Sequence, residues 1–319
     1  MPVWHRAKRM RAYVLVLLLL FYGFILLRNW GESERRSLRI QAGPGPVDHV
    51  SISILVLDVD PQASRMTARI GFRLAGSLAR DEVTPAADLK LFLNNMEGPQ
   101  EVDFPQGRRM NPIVAVFPLD GDVNRYPLDR HATSIRMLMT RPSSQPPLQP
   151  ATSNQNINAP GNPSDTLAVG ALALQGSETV TISPALSASI PGLKFEGNLV
   201  AARGEGPTSV ELRIARADQV IAISFVVMLL MFFLALSLFL MALRAVTSED
   251  VPTLMPLSLA VTLLFGLPAL REVQPGVPPV GGFWDYVVFL WAEMMVALSA
   301  IFVMWAWLRS TPAKPKASQ

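Results

Sequence analysis

The stretch that decides the fold is Val220–Leu243, which reads VIAISFVVMLLMFFLALSLFLMAL and contains twenty-four residues without a charge. A helix rises about 1.5 Å per residue, so this stretch can cross the roughly 30 Å hydrocarbon core of a bilayer with some tilt. Two similar stretches follow, Val251–Leu270 with twenty residues and Tyr286–Leu308 with twenty-three, the second interrupted only by Glu293. We therefore predict a three-helix transmembrane bundle over residues 220–309.

A fourth apolar segment lies near the other end of the chain, at Ala12–Leu27. Basic residues precede it, as in a secretory signal, but no small-x-small cleavage pattern follows it. A cleaved signal peptide is the alternative to a retained helix. We predict that residues 1–28 form a basic cytoplasmic N-terminus and an uncleaved signal-anchor helix, which gives four transmembrane helices in all.

The basic residues around these segments predict the orientation. Arg and Lys residues concentrate on the cytoplasmic side of membrane helices. They stand before the first segment, at Arg244 after the second, and at Arg309, Lys314 and Lys316 after the fourth. We therefore expect a plasma-membrane protein with both termini in the cytoplasm, residues 310–319 as a cytoplasmic tail and residues 29–219 outside.

The region 29–219 has the patterning of β-strands. Apolar and polar residues alternate in Arg65–Leu74 and in Ser209–Ile214, which is typical of half-buried strands. Further strand candidates, separated by turn-forming residues, are Val50–Leu57, Leu89–Leu93, Ile113–Phe117, Ala132–Met139, Thr166–Leu174 and Leu193–Ala201. The pattern is typical of an antiparallel sandwich or barrel, and we predict an extracytoplasmic all-β sandwich interrupted by a flexible Pro-rich insertion at 141–165.

The composition excludes several classes of function. Hydrophobic residues make up 50% of the 319 residues and charged residues 17%, the net charge is only +3, and there is no cysteine. The absence of cysteine excludes thiolate metal sites and a Cys nucleophile. Nucleic-acid binding is not indicated either, because the sequence has no basic stripe interleaved with aromatic residues. No catalytic or phosphate-binding motif is present. We expect no enzyme activity, no cofactor and no metal site.

The most distinctive stretch of the outside region surrounds Tyr126, Pro127 and Asp129. A residue before proline is held extended, and the aspartate can accept backbone N–H groups, so a tight corner is expected. One interpretation is a structural corner that sets the entry to the next strand. The other is a coupling loop near the membrane or at a subunit contact.

The third apolar segment carries a stripe of small, weakly polar residues. Ser258, Thr262 and Gly266 are spaced by four residues, and Glu249 and Asp250 precede them. Small residues favour close helix packing. The alternative is a pore lining with an acidic ring at its cytoplasmic mouth. The prolines of this segment, at 252, 256 and 268, are expected to bend the helix.

The last apolar segment contains the intramembrane acid Glu293. A carboxylate in this position is expensive, so we expect it to face protein or water and to be protonated or paired. Asp285, at the outer end of the same segment, is positioned to pair with Arg271 at the outer end of the preceding one. One interpretation is an interfacial ion pair with a structural acid, and the other makes Glu293 a proton or cation site.

Two resemblances add to this interpretation. Residues 267–271 and 275–281, with Asp285 and the 125–130 stretch, resemble uncharacterised actinobacterial and fungal membrane proteins grouped as a domain of unknown function. That resemblance implies one helix, an outside domain and three further helices, and it brings no activity. A weaker resemblance is to the pentameric ligand-gated channels, which have an aromatic-Pro-x-Asp loop like 126–129 and would make Val251–Leu270 the pore helix.

These observations leave three functions open. The first is a non-enzymatic envelope protein, a scaffold or accessory subunit of a larger membrane complex. The second is a channel-like receptor of five chains around Val251–Leu270, and the third is a transporter or lipid-handling protein that uses Glu293. In each case the expected partners are the bilayer and other membrane subunits, in a homo- or hetero-oligomer.

Overall fold

A computed structural model describes residues 37–42, 47–142, 177–200, 207–247 and 255–309. The chain forms two compact units. The β unit comprises the described residues up to Asp120 and from His131 to Ile214, and the helical unit comprises Gly121–Arg130 and the residues from Ala215 onward. The predicted helix Ala12–Leu27, residues 143–165, the strand Thr166–Leu174 and the tail 310–319 lie outside the described residues.

The described strands are numbered in chain order. They are β1 Leu38–Gln41, β2 His49–Asp60, β3 Arg65–Ala75, β4 Ala79–Asp81, β5 Thr84–Pro85, β6 Leu89–Leu93, β7 Glu101–Phe104, β8 Ile113–Pro118, β9 Asp120–Gly121, β10 Arg130–Pro142, β11 Ser177–Val180, β12 Ile182–Ala188, β13 Leu193–Val200 and β14 Thr208–Arg216. Of the eight predicted strands, all but Thr166–Leu174 coincide with strands in this set. The short strands such as β7 and the proline-containing β12 were not predicted.

Two larger sheets and one hairpin make up the β structure. One sheet has the order β1-β12-β2-β3-β8, the other has the path β13-β14-β10-β6-β7 with β9 and β11 also paired to β10, and β4 pairs with β5. The expectation of a purely antiparallel fold is wrong at one place, because β12 runs parallel to β2, with Ile182 opposite Val50. Parallel neighbours need a long crossover, and the chain between β2 and β12 provides it by passing through the other sheet.

Both larger sheets contribute to one hydrophobic core. Alternate residues of β2 and β10 point inward and are at most 1% exposed, namely Val50, Ile52, Ile54, Ile135, Met137 and Met139. The same alternation in β3 leaves Arg65, Arg69 and Arg73 exposed. Because side chains alternate between the two faces of a strand, the apolar residues of these strands lie in the core and the charged residues of β3 lie in solvent.

The beginning of the predicted flexible insertion is ordered. Arg141 and Pro142 extend β10 and lie opposite Glu178 and Ser177 of β11. Arg141 donates to Glu178 Oε2 from Nε at 2.8 Å and from Nη2 at 2.6 Å. This ladder continues the strand past the point where the Pro-rich composition predicted its end.

The helical unit contains three helices, α1 Asp218–Thr247, α2 Met255–Glu272 and α3 Asp285–Arg309, each long and apolar enough to cross a membrane. The first turn of α3, Asp285–Phe289, is π-helical. In each helix, only 22–28% of an apolar stretch of 18 residues is buried. Most of the apolar surface of the helices therefore faces outward. The predicted fourth helix is not among the described residues.

The buried residues of α1 and α3 follow each other at intervals of three and four. They are Val220, Ser224, Met228, Met231, Ala235, Leu238 and Ala242 in α1, and Asp285, Phe289, Ala292, Val296, Ser299, Val303 and Ala306 in α3. This spacing forms one stripe along each helix, and the alanines and serines in it permit close approach of the two backbones. We call these stripes the α1–α3 seam.

Helix α2 contributes a different face. Its buried residues are Pro256, Ala260, Leu267 and Arg271. Pro256 lies beside Met255, the first described residue of α2, and the residues before Met255 lie outside the described part of the chain. Pro268 does lie inside α2, as expected, and Pro252 lies outside the described residues.

Candidate functional site

A loop between β9 and β10 supplies one side of the candidate site. The carboxylate of Asp122 accepts the N–H of Asn124 at 3.0 Å and caps a single 3₁₀ turn that ends before Tyr126. A cis peptide bond joins Tyr126 to Pro127. Both of these residues and Asp129 are buried, although the loop lies between exposed neighbours. The three residues singled out in the sequence therefore anchor the loop within the helical unit.

The hydroxyl of Tyr126 joins two parts of the helical unit. It lies 3.0 Å from the carbonyl oxygen of Pro275, which follows α2, and 2.8 Å from Oγ of Ser224 in α1. A carbonyl oxygen only accepts, so Tyr126 donates to Pro275 and the Ser224 hydroxyl donates to Tyr126. Burial raises the pKa of Tyr126, against the lowering effect of the Ser224 hydrogen bond and of Arg216. The phenol therefore stays neutral and keeps its donor.

Asp129 binds the last residue of β14. Nε of Arg216 lies 3.1 Å from each carboxylate oxygen of Asp129, and the two side chains are 10% and 0% exposed. The same guanidinium lies 5.2 Å from the centre of the Tyr126 ring. Gly276 has a φ of +66°, and a Cβ there would lie 2.5 Å from Nη1 of Arg216. The positive φ favours glycine here, and a Cβ would also displace the end of the Arg216 side chain.

Arg271 and Asp285 form a second buried pair. Nε and Nη2 of Arg271 donate to Oδ1 and Oδ2 of Asp285 at 2.6 and 2.8 Å, so the contact is bidentate. Nη2 also donates to the carbonyl oxygen of Pro278 at 2.8 Å. The N–H groups of Gly281 and Gly282 donate to Asp285 Oδ2 at 3.0 and 3.1 Å. The pair thus joins the end of α2 to the start of α3 and closes the connection between them.

We call Tyr126, Asp129, Arg216, Ser224, Arg271 and Asp285 the polar cluster. These contacts bring the starts of α1 and α3 and the end of α2 to the same side of the helical unit, where the loop is held. Among the described residues, no group of three or more His, Asp or Glu side chains could hold a metal ion. The arrangement is suited to fixing backbone segments against one another.

The small-residue stripe of α2 lies away from the other two helices. Ser258 and Thr262 are exposed and donate their hydroxyls to backbone carbonyl oxygens of their own helix, at 2.9 Å in each case. A Cβ built on Gly266 would meet no atom within 4 Å. The stripe therefore takes no part in packing within the described part of the chain. Glu249 and Asp250 lie outside it.

Two buried oxygens of the helical unit lack a hydrogen-bond partner among the described residues. One is Oε1 of Gln274, next to the polar cluster, and the other is Oε1 of Glu293 in α3. Glu293 as a whole is half-buried. The structure thus brings Tyr126, Asp129, Arg271 and Asp285 into one region of the helical unit and leaves Glu293 outside the polar cluster.

Sequence reasoning missed Arg216 and Ser224. Arg216 follows the alternating strand pattern and lies 87 residues from Asp129, so no local spacing connects the two. Ser224 is a single hydroxyl in an otherwise apolar helix. In the sequence, Arg216 is visible only as a charge shortly before an apolar segment, and Ser224 only as a polar residue inside that segment. Neither observation indicates which residue it contacts.

The fold and the site together define a β-sheet-rich unit and three helices of membrane-spanning length, which is compatible with a membrane protein. Residues 40–157 match the family model described as Domain of unknown function (DUF4436), and residues 216–310 match the one described as Domain of unknown function (DUF8686). None of the curated proteins compared with the chain matches it. The first domain covers part of the β unit together with the loop, and the second covers the three helices.

Proposed function

We propose that the protein is a non-enzymatic integral membrane protein of the cell envelope, a scaffold or accessory subunit of a larger membrane complex. The observation that carries the proposal is the polar cluster. Its groups bind one another, with Arg216 on Asp129 at 3.1 Å and Tyr126 on Pro275 at 3.0 Å, so it holds the loop in place instead of offering a reactive group to a substrate. The outward apolar faces of the helices are available to lipid and to other subunits.

Native mass spectrometry of the gently solubilised full chain tests this role. We expect the chain to be recovered together with unrelated membrane subunits. We expect Asp129→Asn, which disrupts the polar cluster, to reduce their yield, whereas Asp122→Asn, at an exposed loop residue, leaves it unchanged. A purified single chain that turns over a substrate or conducts ions would contradict the proposal.

The proposed topology places the β unit outside the plasma membrane and both termini in the cytoplasm. The support is the basic residues Arg244 and Arg309 at the ends of α1 and α3 that lie opposite the polar cluster. The chain has no cysteine, so a maleimide can label only a cysteine that is introduced by mutation. In intact cells an impermeant maleimide should label Asn124→Cys and should label Thr247→Cys only after permeabilisation. The reverse pattern would contradict this topology.

The exposed face of α2 favours a channel-like receptor as a second candidate. Ser258 and Thr262 are weakly polar, exposed and unused in the helical unit, as expected if five chains surrounded a pore lined by α2. Glu249 and Asp250 would then form the acidic ring.

Bilayer recordings of the reconstituted chain test the channel. A thiol reagent should block currents through Thr262→Cys and spare Val261→Cys, whose exposed side chain lies about 100° away around the helix. Charge reversal at Glu249 and Asp250 should change the ion selectivity. Absence of current, or equal effects at residues 261 and 262, would remove this candidate.

A further inference from the structure

Glu293 is an acid that the polar cluster does not use. It lies about two turns beyond Asp285 in α3, between the seam residues Ala292 and Val296. Its Oε1 is buried and has no hydrogen-bond partner among the described residues. A buried carboxyl oxygen without a hydrogen-bond partner is unfavourable, so packing alone does not explain an acid at this position.

The contrast with Asp285 on the same helix shows what an ionised carboxylate requires here. Asp285 receives two hydrogen bonds from Arg271 and one each from the N–H groups of Gly281 and Gly282. Oε1 of Glu293 receives none from the described residues. An uncompensated carboxylate in an apolar medium costs far more than a neutral acid, so binding a proton relieves the cost at Glu293.

No charged group stands opposite Glu293 in the described helices. Apart from Glu293, their charged residues lie within the first or last turn of each helix, and they are Asp218, Arg244, Arg271, Glu272, Asp285 and Arg309. The seam residues Ala292 and Val296 on either side of Glu293 belong to the same hydrophobic cluster as Met231 of α1 and Ala260 of α2. Within the described helices, then, the middle of the bundle offers neither a cation to balance a negative charge on Glu293 nor a second acid to share its proton.

We propose that Glu293 is a proton-binding site within the membrane-spanning part of the chain, where it holds a neutral carboxylic acid at neutral pH. The site goes beyond the scaffold role and does not depend on it. The residue as a whole is half-buried although its Oε1 is buried, so part of the side chain reaches the surface of α3.

Infrared difference spectroscopy of the full chain in liposomes tests the proposal. The carbonyl stretch of a protonated carboxylic acid should be present at pH 7 in the native chain, absent in Glu293→Gln and present but shifted in Glu293→Asp. Glu272→Gln is the control, since it removes an exposed acid of the helical unit and should leave the band in place. No difference between the native chain and Glu293→Gln would overturn the proposal, and if Glu293→Gln does not fold, an unshifted band in Glu293→Asp would do so.

Chemical labelling gives a second readout. Dicyclohexylcarbodiimide reacts with protonated carboxyl groups in apolar surroundings: the acid proton moves to a carbodiimide nitrogen, the carboxylate oxygen adds to the central carbon, and the acyl group migrates to nitrogen. At pH 7 we expect this adduct at Glu293 and not at Asp285, with no adduct on that peptide in Glu293→Gln. An adduct at Asp285 in place of Glu293 would overturn the assignment.

Discussion

At the residue scale, the helical unit depends on two buried ion pairs of different design. Arg271 makes a bidentate contact with Asp285 and also donates to Glu272 Oε1 and to the carbonyl oxygen of Pro278, while backbone N–H groups donate to Asp285. Arg216 reaches both carboxylate oxygens of Asp129 through Nε and also covers the Tyr126 ring. Desolvation offsets much of the attraction in such pairs, so their effect appears mainly when one partner is removed.

Asp129→Asn should lower the stability of the helical unit by about 3–5 kcal/mol, because it leaves the Arg216 charge buried without its counter-ion. The measurement is thermal unfolding in detergent, followed by tryptophan fluorescence. Asp122→Asn is the control, since Asp122 pairs with Arg125 at 3.4 Å between side chains that are 53% and 77% exposed, and such pairs contribute about 0–1 kcal/mol. Equal shifts in the two variants would show that the Asp129 contact is no stronger than a surface pair.

The raised pKa of Tyr126 predicts a loss of stability in alkali. The folded state holds the phenolic proton more tightly than the unfolded state, so the contribution of Tyr126 is complete below pH about 10 and is lost as the pH rises through the higher folded-state pKa. Tyrosinate absorbance should show a late-titrating component that disappears in Tyr126→Phe and persists in Tyr286→Phe, whose side chain is exposed. A native titration unchanged by Tyr126→Phe would contradict this prediction.

At the element scale, the strands and helices that could be predicted are those with a clear local signal in the sequence. Alternation identified β3, and uncharged length identified α1. Strand β12 was missed because Pro184 has no N–H for a sheet ladder, although the structure places it opposite Ile52. The Arg271–Asp285 contact could be anticipated, since the two residues flank one short connection, whereas Arg216–Asp129 depends on a tertiary fold that no local pattern contains.

The α1–α3 seam makes a prediction of its own. Ala235 is 0% exposed in the seam, so Ala235→Leu should cost about 1–3 kcal/mol by overpacking between close backbones. Ala222 is the matched control in the same helix, because its side chain is exposed and Ala222→Leu adds surface suited to lipid. Thermal unfolding in detergent compares the two variants. A larger loss for Ala222→Leu would show that the outer face of α1, and not the seam, is the packed one.

At the scale of the whole molecule, the two compact units do not follow the order of the sequence. Gly121–Arg130 runs from the last residue of β9 to the first residue of β10, yet it belongs to the helical unit, where Tyr126 and Asp129 make their contacts. A division of the chain at residue 219 would assign this segment to the strands. The segment's stability should therefore follow that of the helices, although its chain neighbours are β9 and β10.

Hydrogen exchange of the full chain tests this division with two variants. Asp129→Asn should speed exchange in 121–130 and at the start of α1 and leave the core strands β2 and β3 unchanged. Gly76→Ala should do the reverse, because Gly76 has a φ of +69° and a Cβ there would collide with Asp48 Oδ1 and lie 2.5 Å from the carbonyl oxygen of Val47.

Gly107→Ala separates the collision from backbone strain, since its φ is +73° but its nearest contact, Arg80 Nη1, would lie at an ordinary 3.6 Å. We therefore expect a smaller effect of Gly107→Ala on the same unit. If Gly76→Ala sped exchange in 121–130 as much as in β2 and β3, the loop would be tied to the β unit after all. The folded sheets, and not the polar cluster, would then hold the loop in place.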